Sequence, residues 1–128
     1  MKFRTKAIHI GNERCEITGA VVPPIHLAST YVQESPGEWG EYDYSRSGNP
    51  TRDNMEATLA ALENGIDALA FSSGMAATHC VTMLLNAGDH IVAGTDIYGG
   101  TYRLLHKISN RAGITVSLAD AGNPENLK

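Results

Sequence analysis

The chain has 128 residues, 42% of them hydrophobic, and a formal net charge of −4. This length is enough for one domain with a core. Ten basic against fourteen acidic residues leave no basic excess, so we expect no nucleic-acid partner. No apolar run approaches the roughly 20 residues of a membrane span, and no secretory signal is evident. We therefore expect a cytoplasmic protein with no membrane partner. Neither the cysteines nor the histidines show metal-ligand spacing, so we expect no metal.

Residues 1–48 show little periodicity. A short helical turn is predicted at Thr5–Ile10, and chain breakers follow at Pro23–Pro24 and Ser35–Gly37. The segment is nevertheless too apolar for a typical disordered tail; its apolar residues include Val21, Val22, Ile25, Leu27, Tyr31 and Val32. We predict that residues 1–48 form an ordered arm that packs on a partner.

From residue 49 onward, helix and strand patterns alternate. Asn49 followed by Pro50 predicts a helix start, and Asn64 followed by Gly65 predicts its end. The remaining predicted elements are a strand at Asp67–Ser72, a helix at Met75–Asn86, a strand at His90–Ala93, a helix at Thr101–Arg111, a strand at Ile114–Leu118 and a helix start at Asn123–Pro124. This alternation predicts an α/β fold with a mainly parallel sheet and covering helices.

Three strands make a thin sheet, and the chain ends about one turn into the last predicted helix. A single helical turn is marginal by itself. We therefore expect residues 49–128 to be the first part of an α/β domain in a larger protein.

The residues Ser73, Gly74 and Met75 lie between a predicted strand and a predicted helix. Backbone N–H groups at such a helix start favour an anion, best a phosphate. An ordinary helix cap explains the same residues equally well. The segment is neither a Walker loop nor a dinucleotide-binding glycine motif.

Two further clusters contain aromatic residues. Tyr44 and Arg46 lie two positions apart, so an extended segment would place a phenol and a guanidinium on one face, where they suit phosphate or carboxylate. Composition alone favours a solvated loop there. Tyr98, followed by Gly99 and Gly100, could stack on a flat ligand or simply pack at a helix start. Together the three clusters predict a phosphate-bearing aromatic ligand, either a phosphorylated planar cofactor or a nucleotide.

Several segments resemble the pyridoxal phosphate (PLP)-dependent transsulfuration family of Cys/Met metabolism. They are YSRSGNPTR at 44–52, SGMAA at 73–77, DIYGGT at 96–101, and the arm segments TGAVVPPI at 18–25 and STY at 29–31. The resemblance implies the aminotransferase-like fold type I, a subunit about three times as long, PLP as cofactor, an amino-acid substrate, and homodimers that pair into homotetramers with shared active sites.

The resemblance also implies roles for individual residues. Gly74 and Met75 would donate backbone N–H groups to the cofactor phosphate. Tyr98 would stack on the pyridine ring and serve as a catalytic proton-transfer residue. Tyr44 and Arg46 would reach the phosphate bound by the neighbouring subunit.

Two further positions, Asp43 and Arg103, match residues near the family's substrate-binding cleft. The family's Schiff-base lysine and its acid for the pyridine nitrogen come later than residue 128. None of the four lysines here, Lys2, Lys6, Lys107 and Lys128, lies in the family's Ser-x-x-Lys setting. We therefore expect the 128-residue chain alone to be inactive.

Within the family, residues 35–38 (SPGE) and 71–75 (FSSGM) look like bacterial cystathionine γ-lyases, which convert cystathionine to cysteine, 2-oxobutanoate and ammonia. The alternative is γ-replacement of an O-acylhomoserine by cysteine, as in cystathionine γ-synthases. Gly100 stands where methionine γ-lyases usually carry cysteine, which argues against that activity. Two hypotheses of other classes are an unrelated nucleotide- or flavin-binding module and a non-catalytic phosphate-binding or assembly fragment.

Overall fold

The computed structural model describes residues 1–127. It has two compact units, one spanning Met1–Ala70 and one beginning at Phe71. None of the helices in the described residues is both long enough and apolar enough to cross a membrane.

The first unit contains helix α1 (Phe3–His9), strands β1 (Gln33–Ser35) and β2 (Glu38–Trp39), and helix α2 (Pro50–Glu63). Helix α1 is tied to the end of α2 by Lys6, whose Nζ donates to the Ala61 carbonyl and to Asn64 Oδ1, both at 2.8 Å. Asn64 is left-handed (φ 56°) and ends α2 as predicted.

The start of α2 is also as predicted, because Asn49 Oδ1 accepts from the Thr51 N–H at 2.9 Å and Pro50 is the first helical residue. The amide group of the same side chain donates to the His26 carbonyl at 3.2 Å and to Ser45 Oγ at 3.2 Å. One asparagine thus caps the helix and fastens the preceding arm to it.

The arm contains a small antiparallel hairpin that the sequence did not predict. Strands β1 and β2 pair around Gly37, whose φ of 90° suits glycine. Strands of three and two residues are too short for an alternating pattern to be visible.

The predicted strand at Asp67–Ser72 is wrong. Two of the backbone N–H groups that a sheet would use are bonded to side chains instead. Asp67 Oδ1 accepts from Ala68 N at 2.8 Å, and Glu56 Oε1 accepts from Ala70 N at 2.6 Å. Within the described residues this segment pairs with no strand.

The second unit contains helix α3 (Gly74–Thr82), strand β3 (His90–Gly94), helix α4 (Gly99–Arg103) and strand β4 (Thr115–Ala119). Strands β3 and β4 are parallel, and their register runs from His90 opposite Thr115 to Gly94 opposite Ala119. This pairing confirms the α/β class and two of the three predicted strands. Strand β3 ends one residue later than predicted, and β4 begins and ends one residue later. Leu105 and Ile114 are buried in this unit.

The single helix predicted at Thr101–Arg111 is wrong in detail. After α4 the chain forms a π-helical segment (Leu104–Ser109) and a 3₁₀ turn (Asn110–Ala112). Apolar periodicity over so few residues does not separate these helix types. Helix α3 ends at Thr82, four residues before the predicted end, where Met83 N bonds back to the His79 and Cys80 carbonyls.

A 3₁₀ helix occupies Pro124–Leu127, at the predicted helix start. Lys128, the last residue of the predicted 49–128 domain, lies outside the described residues.

Large apolar side chains remain at the surface of both units. Ile17 is 95% exposed, and others are similarly open: Val21, Leu27, Val32, Ile66, Leu69 and Leu84. Burial of this much apolar surface would be favourable at about 25 cal/mol per Å². These side chains are therefore available for contacts beyond the described residues.

The Tyr42–Asp53 hydrogen bond should give the protein a pH-dependent stability. The Tyr42 phenol donates to Asp53 Oδ2 at 2.8 Å, and this bond, followed by burial and nearby negative charge, raises the pKa of Tyr42 to about 12. The bond needs the protonated phenol, so its stabilisation is complete below the ordinary pKa of about 10 and is lost as the pH rises through 12. We expect Tyr42→Phe to lower the free energy of unfolding by about 1 kcal/mol at pH 8, and the difference from wild type to shrink above pH 10.

Urea unfolding of the protein at pH 8, 10 and 11.5 measures this effect. Tyr102→Phe is the matched control, because the Tyr102 hydroxyl makes no hydrogen bond within the described residues. A deficit for Tyr42→Phe that stays constant over this pH range would contradict the assignment.

Candidate functional site

Residues 44–48 form a tight turn, here named the clamp turn, in the first unit. The Ser47 and Gly48 N–H groups both donate to the Tyr44 carbonyl, at 2.9 and 3.0 Å. The guanidinium carbon of Arg46 lies 4.9 Å from the centroid of the Tyr44 ring, a cation–π contact. The predicted pair is therefore adjacent, although a turn rather than an extended segment brings the two side chains together.

Both side chains of the pair are open to solvent. Tyr44 is 38% exposed, and Arg46 is exposed as well. Within residues 1–127 the one ion pair is Arg52–Glu56, so the Arg46 guanidinium has no carboxylate partner there. An exposed, unpaired guanidinium beside a phenol is a donor set that fits a phosphate.

Arg52 holds the backbone of the clamp turn, a role that the sequence did not reveal. It lies on α2 and donates from NH1 to the Ser45 carbonyl at 2.9 Å and from NH2 to the Ser47 carbonyl at 2.8 Å. Its Nε lies 3.7 Å from Glu56 Oε1. The i, i+4 spacing of Arg52 and Glu56 was the only signal in the sequence, and that spacing usually marks a surface pair.

The start of helix α3 offers two unused hydrogen-bond donors. Ser73 caps the helix by accepting from Ala76 N at 3.1 Å, so the predicted cap is present. Among the described residues, no acceptor is bonded to the N–H groups of Gly74 and Met75. A Cβ atom added to Gly74 would meet no other atom within 4 Å, so the space above it is open. Free N–H groups at a helix N-terminus fit a phosphate.

Tyr98 and Met75 come together around Gly100 in the second unit. A Cβ atom on Gly100 would lie 2.4 Å from Tyr98 Cε1 and 3.1 Å from Met75 Sδ. Thr101 Oγ1 lies 3.9 Å from the same sulfur. Tyr98 remains 71% exposed. Its ring lies beside Gly100 and is still open enough to stack on a flat ligand.

Asp43 and Arg103, predicted near a substrate cleft, differ in their surroundings. Asp43 is half-buried, and its Oδ1 accepts from Tyr44 N at 2.6 Å. Its carboxylate therefore supports the clamp turn. Arg103 is the last residue of α4, is exposed, and makes no ion pair within the described part of the chain. Its guanidinium is therefore open to an anion.

A family model described as Cys/Met metabolism PLP-dependent enzyme matches residues 4–128. The chain belongs to this family. Its members depend on PLP, a cofactor that presents both a phosphate and an aromatic ring, and the residues described above fit those two groups.

Curated relatives in the family carry three different activity names. The chain is 50% identical over 126 residues to a cystathionine beta-lyase of Lactococcus lactis subsp. cremoris, covering 98% of this chain and 33% of the relative. It is 48% identical to a cystathionine gamma-lyase of Bacillus subtilis over 100% of this chain and 34% of the relative. It is 43% identical to a probable cystathionine gamma-synthase of Herpetosiphon aurantiacus, over 98% of this chain and 40% of the relative.

Solved structures agree with the fold. Cystathionine gamma-lyase from Lactobacillus plantarum, complexed with L-serine, superposes with a TM-score of 0.88 at 44% identity, over 99% of this chain and 33% of that one. The fold is that of the fold-type I PLP enzymes. The chain spans about a third of the length of the relatives and structures that it matches.

Gly100 should be needed for the position of Tyr98. In Gly100→Ala the new Cβ would overlap the Tyr98 ring and press on Met75 Sδ, so the ring must move. Because Tyr98 is exposed, we expect the protein to fold but to bind PLP about tenfold more weakly, a loss of about 1.4 kcal/mol. Titration of the full-length apoprotein with PLP, followed by visible absorbance, measures the dissociation constant.

Gly99→Ala is the matched control for this substitution, since a Cβ there would meet no atom within 4 Å. Equal effects of the two alanines on PLP affinity would show that the overlap with Tyr98 does not matter.

Proposed function

We propose that this chain is the phosphate-binding portion of a PLP-dependent transsulfuration enzyme, and that the full-length protein cleaves cystathionine by γ-elimination. The observation that carries the proposal is the pair of N–H groups at Gly74 and Met75, which have no acceptor among the described residues and lie in the same unit as the open ring of Tyr98. The family membership supplies the cofactor that needs both features.

The residues of the second unit would hold the cofactor in this way. The Gly74 and Met75 N–H groups bind the phosphate, and the positive end of α3 adds to its stabilisation. The Tyr98 ring stacks on the pyridine ring. PLP, when bound, supplies an electron sink that makes the substrate's α-proton acidic. In this role the Tyr98 phenol would accept a proton from the substrate amine and return it.

The residues of the first unit would act on the neighbouring subunit. Tyr44 and Arg46 bind the phosphate held by that subunit, so each active site is shared across a homodimer, and two dimers form a homotetramer. Residues 1–48 are the arm that packs on partner subunits, and residues 49–128 begin the PLP-binding domain. The exposed Ile17, Leu27 and Val32 support this role, because an arm that packs on a partner needs apolar contacts.

The substrate is an amino acid, and Asp43 and Arg103, each considered within its own unit, are assigned to substrate binding. The protein works in the cytoplasm. Similarity to the Bacillus subtilis gamma-lyase over the whole of this chain supports γ-elimination. The alternative is γ-replacement of an O-acylhomoserine by cysteine, supported by the Herpetosiphon aurantiacus relative. The family match disfavours a nucleotide-binding module. The remaining hypothesis, a non-catalytic assembly fragment, predicts that the full-length protein shows no activity on any of these substrates.

Products distinguish the possible activities. We expect the full-length protein with PLP to convert cystathionine to cysteine and 2-oxobutanoate, because the bond broken is on the γ-carbon side. Cleavage on the β-carbon side would release homocysteine and pyruvate instead. Chromatography of the two oxo acids measures the ratio, and a parallel reaction with O-succinylhomoserine and cysteine tests for γ-replacement.

The controls for this assay are the protein without PLP and the protein after borohydride reduction, which traps the cofactor covalently on its lysine. Failure of the full-length protein to bind PLP would contradict the proposal at the family level. An excess of pyruvate, or cystathionine synthesis that outpaces cleavage, would contradict γ-elimination alone.

Arg46 should affect both the cofactor and the dimer. We expect Arg46→Ala to weaken PLP binding by about tenfold or more, since a hydrogen bond to a charged group contributes about 1.5–3 kcal/mol, and to weaken the dimer. Equilibrium dialysis and analytical ultracentrifugation measure the two effects. Arg14→Ala, at an exposed position of the arm, is the control; unchanged PLP affinity in Arg46→Ala would argue against a shared site.

A further inference from the structure

We infer that Arg52 is a positioning residue for phosphate binding: it holds the clamp turn in the shape that presents Tyr44 and Arg46. This inference rests on the proposed function, because it takes the phosphate as the ligand of that pair. Arg52 itself need not touch the cofactor.

The guanidinium of Arg52 contacts the backbone carbonyls of three consecutive residues of the turn. NH1 donates to Ser45 O at 2.9 Å and lies 3.5 Å from Arg46 O, while NH2 donates to Ser47 O at 2.8 Å. These carbonyls converge on one planar cation. The guanidinium spans them because its donors stand in a fixed fork.

The other hydrogen bonds of the clamp turn do not involve the carbonyls that Arg52 contacts. The Ser47 and Gly48 N–H groups fix only the Tyr44 carbonyl, and the Ser45 N–H bonds to the Ser29 carbonyl at 2.9 Å. Asp43 and Asn49 hold the Tyr44 N–H and the Ser45 hydroxyl. In the described part of the chain, the carbonyls on either side of Arg46, those of Ser45 and Ser47, are bonded only to Arg52. Arg52 is therefore the side chain that fixes the carbonyl side of the turn.

The guanidinium is itself held in place by α2. Glu56 lies one helical turn after Arg52, and its Oε1 is 3.7 Å from Arg52 Nε. The same carboxylate oxygen accepts from Ala70 N at 2.6 Å. With side-chain exposures of 29% and 15%, the pair is partly shielded from water, which strengthens it relative to a fully exposed pair.

The test compares two ligands that differ only in the phosphate. PLP and pyridoxal, which lacks the phosphate, are titrated into the full-length apoprotein, and visible absorbance gives both dissociation constants. We expect Arg52→Lys to weaken PLP binding by about tenfold, or about 1.4 kcal/mol, and to leave pyridoxal binding within about twofold. Lysine keeps the charge but has no fork to span the carbonyls.

Arg111→Lys is the matched control, since Arg111 is exposed and makes no ion pair within the described residues; its two constants should equal those of wild type. If Arg52→Lys yields too little folded protein, Arg52→Gln is measured in the same way. A merely structural role predicts that either Arg52 variant weakens both ligands equally. That result, or no change in either ligand, would overturn the inference.

Wild-type protein separates this inference from the proposed function. If wild type binds PLP and Arg52→Lys binds it equally well, the proposed function stands and the role of Arg52 is wrong. If wild type binds no PLP, the proposed function fails, and the inference fails with it.

Discussion

The side chain of Asn49 is the contact on which the first unit depends. Its carbonyl oxygen caps α2, which satisfies an N–H group that the helix cannot satisfy itself. Its amide group holds the His26 carbonyl, the Ser45 hydroxyl and, at 3.3 Å, the Tyr31 hydroxyl. The arm has little regular structure, so few backbone bonds could fix it. One amide therefore couples the start of a stable helix to three points of the arm, at His26, Tyr31 and Ser45.

Two helix starts are used differently in this chain. At α2, Asn49 accepts from a helix N–H group, Pro50 is the first helical residue, and the arm contacts this end through His26. At α3, Ser73 satisfies one N–H group, and those of Gly74 and Met75 are left without a partner in the described residues. The difference follows from the first helical residue, because Pro50 has no N–H to satisfy, whereas Gly74 has one and leaves the space above it open. One helix start is thus closed within the first unit, and the other is the start proposed to bind phosphate.

Much of the fold and of the candidate site could be predicted from the sequence. The Asn–Pro start and the Asn–Gly end of α2 are local signals, since the capping bonds are made within a few residues. Strands β3 and β4 could be predicted because both are short apolar runs between clear breaks. The residues proposed to bind phosphate were suggested by motif and by family resemblance. Arg52 was not, because its partners are backbone carbonyls, which every residue carries and no sequence pattern marks.

The amino-acid sequence by itself determined the family, the α/β class and the identity of the residues proposed to meet the cofactor. Each of these depends on local patterns or on motif spacing. Only the tertiary structure decided that Asp67–Ser72 forms no strand, since the Glu56 side chain that takes its N–H comes from a different element. It likewise decided that a turn brings Tyr44 to Arg46, and that Gly100 packs against Tyr98 and Met75. These outcomes depend on groups that meet in space, and the order of residues along the chain does not specify such meetings.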